Sequence, residues 1–129
     1  MEYHFCGLVS SDLQEVRKFL AECLDEVQKY IKSEDLLFDL RLVVNELVIN
    51  GALHGNDLRK SKYVNLIIDI SDMTIEVKVR DEGDGIDYCF EEYDHTNLIP
   101  TGRGLVLVGG LVDELDVDNN VIRALMKIG

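Results

Sequence analysis

Residues 43–56 read VVNELVINGALHGN, and the way Glu46, Asn50 and His54 fall within this run decides how the rest of the chain is arranged. The spacing predicts a helix that starts near Ser33 to Asp35, where acidic side chains complement the helix dipole. It runs to about His54, with Gly55 placed to end it. At about 100° per residue, setting Glu46 at zero puts Asn50 near ~40° and His54 near ~80°, while Leu36, Leu40, Val43 and Leu47 fall between about 60° and 120°. Ile49 and Leu53 lie on the other side, at about −60° and −20°. Glu46 and Asn50 are therefore bracketed by apolar residues instead of facing water. A carboxylate there needs a partner, because unpaired burial is costly or moves its pKa upward, toward the range that suits a general base. Hydrogen bonds to a neighbouring strand would satisfy the same two side chains, so ExxxN alone does not separate packing from chemistry.

Working outward, the segment before this helix also reads as structured. Tyr3 to Val9 forms a short strand, and Ser11 followed by Gln14 fits a capping box for the next helix. Leu13, Val16, Leu20, Cys23, Leu24, Val27 and Ile31 step by three or four, as one face of a long amphipathic helix must. After the Glu46 helix, Tyr63 to Ile70 and Met73 to Arg80 alternate two faces and read as a β-hairpin joined through Ser71-Asp72. Ile86 to Thr101 has little periodicity and reads as a long loop, of a length that is usually functional. An apolar run of helical length, Leu105 to Val112, follows. Leu115 to Asp118 and Val121 to Ile128, around Asn119-Asn120, form a second hairpin. The order β, α, α, β, β, loop, α, β, β predicts an α/β (α+β) two-layer sandwich, a mixed, mostly antiparallel sheet with helices on one face.

Composition bounds what such a domain does. The chain has 129 residues, 13 Lys+Arg against 25 Asp+Glu and a net charge of −12 with neutral histidines. That length is one domain by default, 1–129, able to bury a sizeable core. The acidic balance repels phosphate backbones and anionic head groups, so direct nucleic-acid or membrane binding is not expected. With 47% apolar residues and one proline, the composition is that of an ordered globular protein. Cys6, Cys23 and Cys89 form no CxxC motif and an odd number cannot all pair, which suits reduced thiols in a cytoplasmic protein. The start of the chain lacks the basic and apolar segments of a signal peptide, and no apolar run approaches the ~18 residues of a membrane span.

Two further stretches carry chemistry. Asp81-Glu82-Gly83-Asp84-Gly85 follows a strand directly, and alternate glycines let backbone approach a flat ligand that a Cβ would block. Asp81 at the strand end is placed to accept a hydrogen bond from an exocyclic amine. The spacing and final Glu of a calcium loop are missing. Gly102-Arg103-Gly104 opens a helix, whose unpaired N–H groups and positive dipole end bind phosphate. Arg103 adds positive charge to an acidic surface. Neither a Walker A loop nor a GxGxxG fingerprint is present. Each motif alone is also compatible with an ordinary turn or helix entry.

Taken together and in this order, the motifs resemble those of the GHKL ATPase and kinase superfamily. Glu46-Leu-Val-Ile-Asn50, continued by Gly-Ala-Leu-His54-Gly55-Asn56, resembles its N box. Asp81-Glu-Gly-Asp-Gly85 resembles its first glycine box, and Gly102-Arg-Gly-Leu105 its second. The helix pattern before the N box and the HGN ending look most like bacterial anti-sigma factor serine kinases, over nearly all of residues 8–128. The resemblance implies the GHKL (Bergerat) ATP-binding fold, ATP and Mg²⁺ as cofactors, and a kinase acting on serine or threonine of an anti-anti-sigma antagonist. A sigma factor would be the second partner and a homodimer an available state. Asn50 would ligate Mg²⁺, and Glu46 would be the general base. Asp81 would bind the adenine amino group, with Gly83 and Gly85 lining the base. Residues 86–101 would form a lid, within a lid region of about 86–104, and Gly102, Arg103, Gly104 and Leu105 would hold the phosphates.

Some positions depart from the family. Gly51 stands where alanine is frequent, which weakens the helix by up to ~1 kcal/mol. No threonine follows Thr101, so the late-strand threonine that helps hold adenine has no counterpart. Arg59, Lys60 and Lys62 form a basic cluster, readable as a solvated loop or as a contact for an acidic partner. A non-catalytic ATP-binding switch module and a histidine-kinase-type catalytic domain are the alternative functions, although the chain has no preceding helix pair with a phosphoacceptor histidine.

Overall fold

The computed structural model describes residues 2–56, 59–82, 108–118 and 120–128, with the side chains of 54 and 55 excepted. The order of elements is β1 (Tyr3–Ser10), α1 (Leu13–Val27), a 3₁₀ turn (Gln28–Tyr30), α2 (Glu34–Asn50), a π-helical turn (Gly51–Gly55), β2 (Tyr63–Ile70), β3 (Thr74–Arg80), β4 (Glu114–Asp118) and β5 (Val121–Lys127). Residues 108–111 are helical, as expected for part of the run Leu105 to Val112.

The strands form one five-stranded sheet in the order β1-β2-β3-β5-β4, and each described pairing is antiparallel. Because side chains alternate along a strand, one residue in two faces the helices. Val64, Leu66 and Ile68 of β2, Ile75 and Val77 of β3 and Ala124 of β5 are fully buried on that face. The register sets them side by side: Leu66 lies between Gly7 of β1 and Val79 of β3, and Val79 lies beside Ile122 of β5. Above them α1 contributes Val16, Leu20, Cys23, Leu24 and Val27, and α2 contributes Leu40, Val43, Val44, Leu47 and Val48. Gly7 is required by contact: a Cβ there would come within 2.8 Å of the Phe19 ring, which packs from α1 onto the sheet beside Phe5. The other face is polar, with Arg123 bridging Glu76 at 2.7 Å and Asp116 at 2.8 Å. Among the described residues, no helix is long and apolar enough to cross a membrane.

Three local expectations are corrected. Asp12, not Ser11, caps α1: its carboxylate accepts the Gln14 N–H at 2.9 Å, whereas the Ser11 hydroxyl donates to the Lys62 carbonyl at 2.9 Å. β3 begins at Thr74, not Met73: the Ser71 hydroxyl accepts the Met73 N–H within the turn, and the first residue paired across to β5 is Thr74, opposite Lys127. The α-helical hydrogen-bond pattern of α2 ends at Asn50, and the chain continues to Gly55 as a π-helical turn.

Candidate functional site

Ser33 caps α2 by accepting the Leu36 N–H at 3.2 Å, and Glu34 and Asp35 occupy the first turn as the helix dipole favours. From there the helix runs with Leu40, Val43, Val44, Leu47 and Val48 completely buried. Two members of the polar stripe expected beside this apolar face, Glu46 and Asn50, are described. Glu46 is half-buried at its rim, and Asn50, one turn on, is 1% exposed. Among the described residues, neither the Oδ1 nor the Nδ2 of Asn50 has a hydrogen-bond partner. Burying an amide without partners costs about 1–3 kcal/mol, so a group kept in that state calls for a ligand.

A widened turn follows Asn50. The Asn56 N–H donates to the Gly51 carbonyl at 2.9 Å, five residues back, which closes a widened turn. Such π turns concentrate at functional sites because they re-aim the side chains beside them. Gly51 itself lies against the sheet, where a Cβ would stand 3.4 Å from Val64 and 3.5 Å from Val79. The end of α2 therefore meets the end of β3, and Asp81 lies just beyond that strand.

Asp81 is 4% exposed and follows the exposed Arg80, as strand alternation requires. Its backbone is held by Asn120, whose carbonyl accepts the Asp81 N–H at 3.0 Å and whose Nδ2 donates to the Asp81 carbonyl at 2.6 Å. The next N–H, of Glu82, donates to Asn56 Oδ1 at 2.7 Å. The Glu82 carboxylate accepts the Tyr63 N–H. Asn56 is fully buried, and its Nδ2 donates to Ser11 Oγ at 2.9 Å and to the Tyr63 carbonyl at 3.0 Å.

The structure thus brings Glu46, Asn50 and Asp81 to one end of the layer between helices and sheet. Gly83, Gly85, the expected lid, Gly102, Arg103, Gly104 and Leu105 lie outside the described residues, as does the His54 side chain. The basic cluster is partly absorbed by a turn: Lys60 lies 3.4 Å from the Asp12 carboxylate, and the Lys62 carbonyl accepts from Ser11, while Arg59 is exposed. Sequence reasoning quoted Asn56 without giving it a role and read Asn120 as a turn residue. The available signal for Asn56 was an amide directly after a helix-ending glycine.

The residues present fit a hard cation with few protein ligands. The Asn50 carbonyl oxygen is buried and unclaimed, and Mg²⁺ characteristically takes one or two protein oxygens and completes its shell with phosphate and water. Among the described residues, no group of three or more His, Cys, Asp or Glu is placed to hold a metal by itself.

The sequence is similar to several known proteins. The anti-sigma F factor of Priestia megaterium is 29% identical over 94 residues, covering 68% of this chain and 64% of that protein. The serine-protein kinase RsbW of Bacillus subtilis (strain 168) is 27% identical over 125 residues, 90% of this chain and 72% of that protein. The anti-sigma F factor of Geobacillus stearothermophilus is 29% identical over 92 residues, covering 67% of this chain and 63% of that protein. The chain thus spans a little under two thirds of the length of these two anti-sigma F factors. The family description that fits the sequence is a histidine kinase-like ATPase domain, matched over residues 9–126, from the end of β1 to the end of β5. With that match covering both helices, nearly all of the sheet beyond β1 and the site at its end, the chain belongs to the histidine kinase-like ATPase domain family.

Proposed function

We propose that this chain is an anti-sigma regulatory factor that binds Mg-ATP and phosphorylates a serine or threonine of an anti-anti-sigma protein. The observation that carries the reading is the Asn50 carboxamide, buried and without a partner among the described residues, one helical turn beyond a half-buried Glu46. Two relatives bear the names anti-sigma F factor and serine-protein kinase, which supports the same reading. The unit is 1–129 as one domain, working in the cytoplasm, with a homodimer as an available state.

In this proposal Asn50 offers its carbonyl oxygen to Mg²⁺, and Asp81 accepts a hydrogen bond from the adenine amino group. Gly83 and Gly85 admit the base. Gly102, Arg103, Gly104 and Leu105 hold the β and γ phosphates beneath a lid formed by 86–101. The bound cation supplies the charge neutralisation that phosphoryl transfer chiefly needs. Glu46 accepts the proton of the attacking hydroxyl as its oxygen bonds to the γ phosphorus and the bond to the β-bridging oxygen breaks, leaving ADP. The phosphorylated antagonist carries about 1.5 to 2 additional negative charges, which a chain of net charge −12 repels. That repulsion would release the antagonist and leave the protein free for its sigma factor.

The test is transfer of labelled phosphate from Mg-ATP to the antagonist protein recovered with this chain from its own cells. Glu46→Gln is expected to slow transfer by about 10²–10⁴-fold while Mg-ATP still raises the melting temperature. Equal transfer by both proteins would remove Glu46 as the base, and an acid-labile phosphohistidine product would favour a histidine kinase. A melting temperature unmoved by Mg-ATP would overturn the reading.

A further inference from the structure

Telling adenine from guanine with a single carboxylate is a matter of placement. The carboxylate accepts a hydrogen bond from the adenine amino group and repels the guanine oxygen at the same position, and both effects fall away with small displacements. The regular strand pairing stops one residue short of Asp81. The β2–β3 pairing ends at Asn65 opposite Arg80, and the β3–β5 pairing ends at Arg80 opposite Val121, so Asp81 and Glu82 lie beyond the regular sheet.

Two asparagines supply what the ladder does not. Asn120 accepts the Asp81 N–H with its main-chain carbonyl and donates its side-chain Nδ2 to the Asp81 carbonyl, and the Asn56 side chain takes the N–H of the next residue. The three backbone groups flanking the Asp81 side chain are therefore fixed from two separate segments. Asn56 is itself fixed, with both Nδ2 hydrogens used, its Oδ1 used and its own N–H closing the π turn on Gly51. Its position matters as much as its bonds. It joins the turn that follows Asn50 to the segment that carries Asp81, and so sets the separation between the phosphate side and the base side of the site.

We propose that Asn56, assisted by Asn120, is a positioning residue that determines nucleotide-base specificity by holding the Asp81–Glu82 peptide. Neither asparagine touches the nucleotide in this scheme. The inference rests on the nucleotide-site reading above and adds a role for two residues to which the motifs assign none.

Calorimetric titration of the whole chain with Mg-ATP and, separately, Mg-GTP tests it. The wild type is expected to prefer ATP. Asn56→Ala and Asn120→Ala are each expected to reduce the ATP:GTP affinity ratio by about tenfold or more, through weaker ATP binding, with GTP affinity changed by no more than about twofold. Ser11→Ala cuts the network on the side away from Asp81, so it should lower the melting temperature and leave the ratio unchanged. If Asn56→Ala does not fold, Asn120→Ala decides, because it leaves the buried Asn56 bonds intact. An unchanged ratio in the asparagine variants, equal losses for both nucleotides, or a Ser11→Ala shift as large as that of Asn56→Ala would overturn the inference. A wild type that binds Mg-ATP without preferring it to Mg-GTP would overturn the inference alone. A wild type that binds neither would overturn the nucleotide-site reading as well.

Discussion

The space between helices and sheet differs at its two ends. Toward the β2–β3 turn, where α2 begins, the filling is apolar: Val27, Ile31, Leu40, Ile70, Ile75 and Met126 are buried, and among the described residues no polar side chain is buried with them. Where α2 ends, the same layer holds Ser11, Asn50, Asn56 and Asp81, each no more than 4% exposed. Dry burial is worth about 25 cal/mol per Å², whereas polar burial at best breaks even when every hydrogen bond is made. One end holds the sandwich together. The other draws on that stability, with Asn56 fully bonded and Asn50 left without a partner.

The largest test of this division is Leu40→Ala. Leu40 is completely buried on α2 among apolar neighbours, so truncation leaves a cavity and costs about 2–5 kcal/mol. For a domain of this size that is a fall of roughly 8–20 °C in melting temperature, read by calorimetry. The rise produced by Mg-ATP should be retained, since Leu40 stands several turns from Asn50. Losing both together would show that the two ends are not energetically separate.

A smaller test uses charge at the apolar face of α1. Cys23 is 2% exposed, and burial pushes its thiol from the ordinary 9.0 up to about 11. The unfolded chain therefore ionises first. The thiol's contribution is complete below pH 9 and declines as the pH rises toward 11. The loss is up to about 2 kcal/mol once solvent screening is allowed for. Denaturant unfolding of wild type and Cys23→Val across that range isolates it, because the other alkaline groups titrate in both. Parallel curves would mean that water reaches this part of the layer.

The dry part was legible in the sequence, and the polar part only partly so. Steps of three or four in α1 and alternation in Tyr63 to Ile70 each leave one way to face a core, so the layers and the hairpins follow from periodicity. Glu46 and Asn50 were legible for the same reason, as polar residues at angles that belong to the apolar face. What escaped depends on partners distant in the chain. Ser11 and Asp12 are both good caps, and the choice between them is made by a Lys62 carbonyl 51 residues away. The π turn at Gly51–Gly55 is invisible to periodicity, since one widened turn shifts no more residues than ordinary helix fraying does. Asn56 and Asn120 bind backbone groups, which no side-chain pattern records.

The smallest expected effect is the most discriminating, because its sign is opposite. Asn50→Ala removes a buried amide whose oxygen and nitrogen both lack partners, and alanine is the better helix former. Against this stands a small cavity. Without nucleotide, the variant should be unchanged or more stable by up to about 1 kcal/mol, whereas truncating Leu40 on the same helix is strongly destabilising. With Mg-ATP, the rise in melting temperature seen for the wild type should disappear, because the oxygen assigned to the cation has gone. A helix in which one alanine substitution weakens the fold and another spares it while abolishing the ligand response has its stability and its function on different turns. Destabilisation of Asn50→Ala by 2 kcal/mol or more would instead make the asparagine part of the framework, and the division between the two ends would fail where it is drawn most sharply.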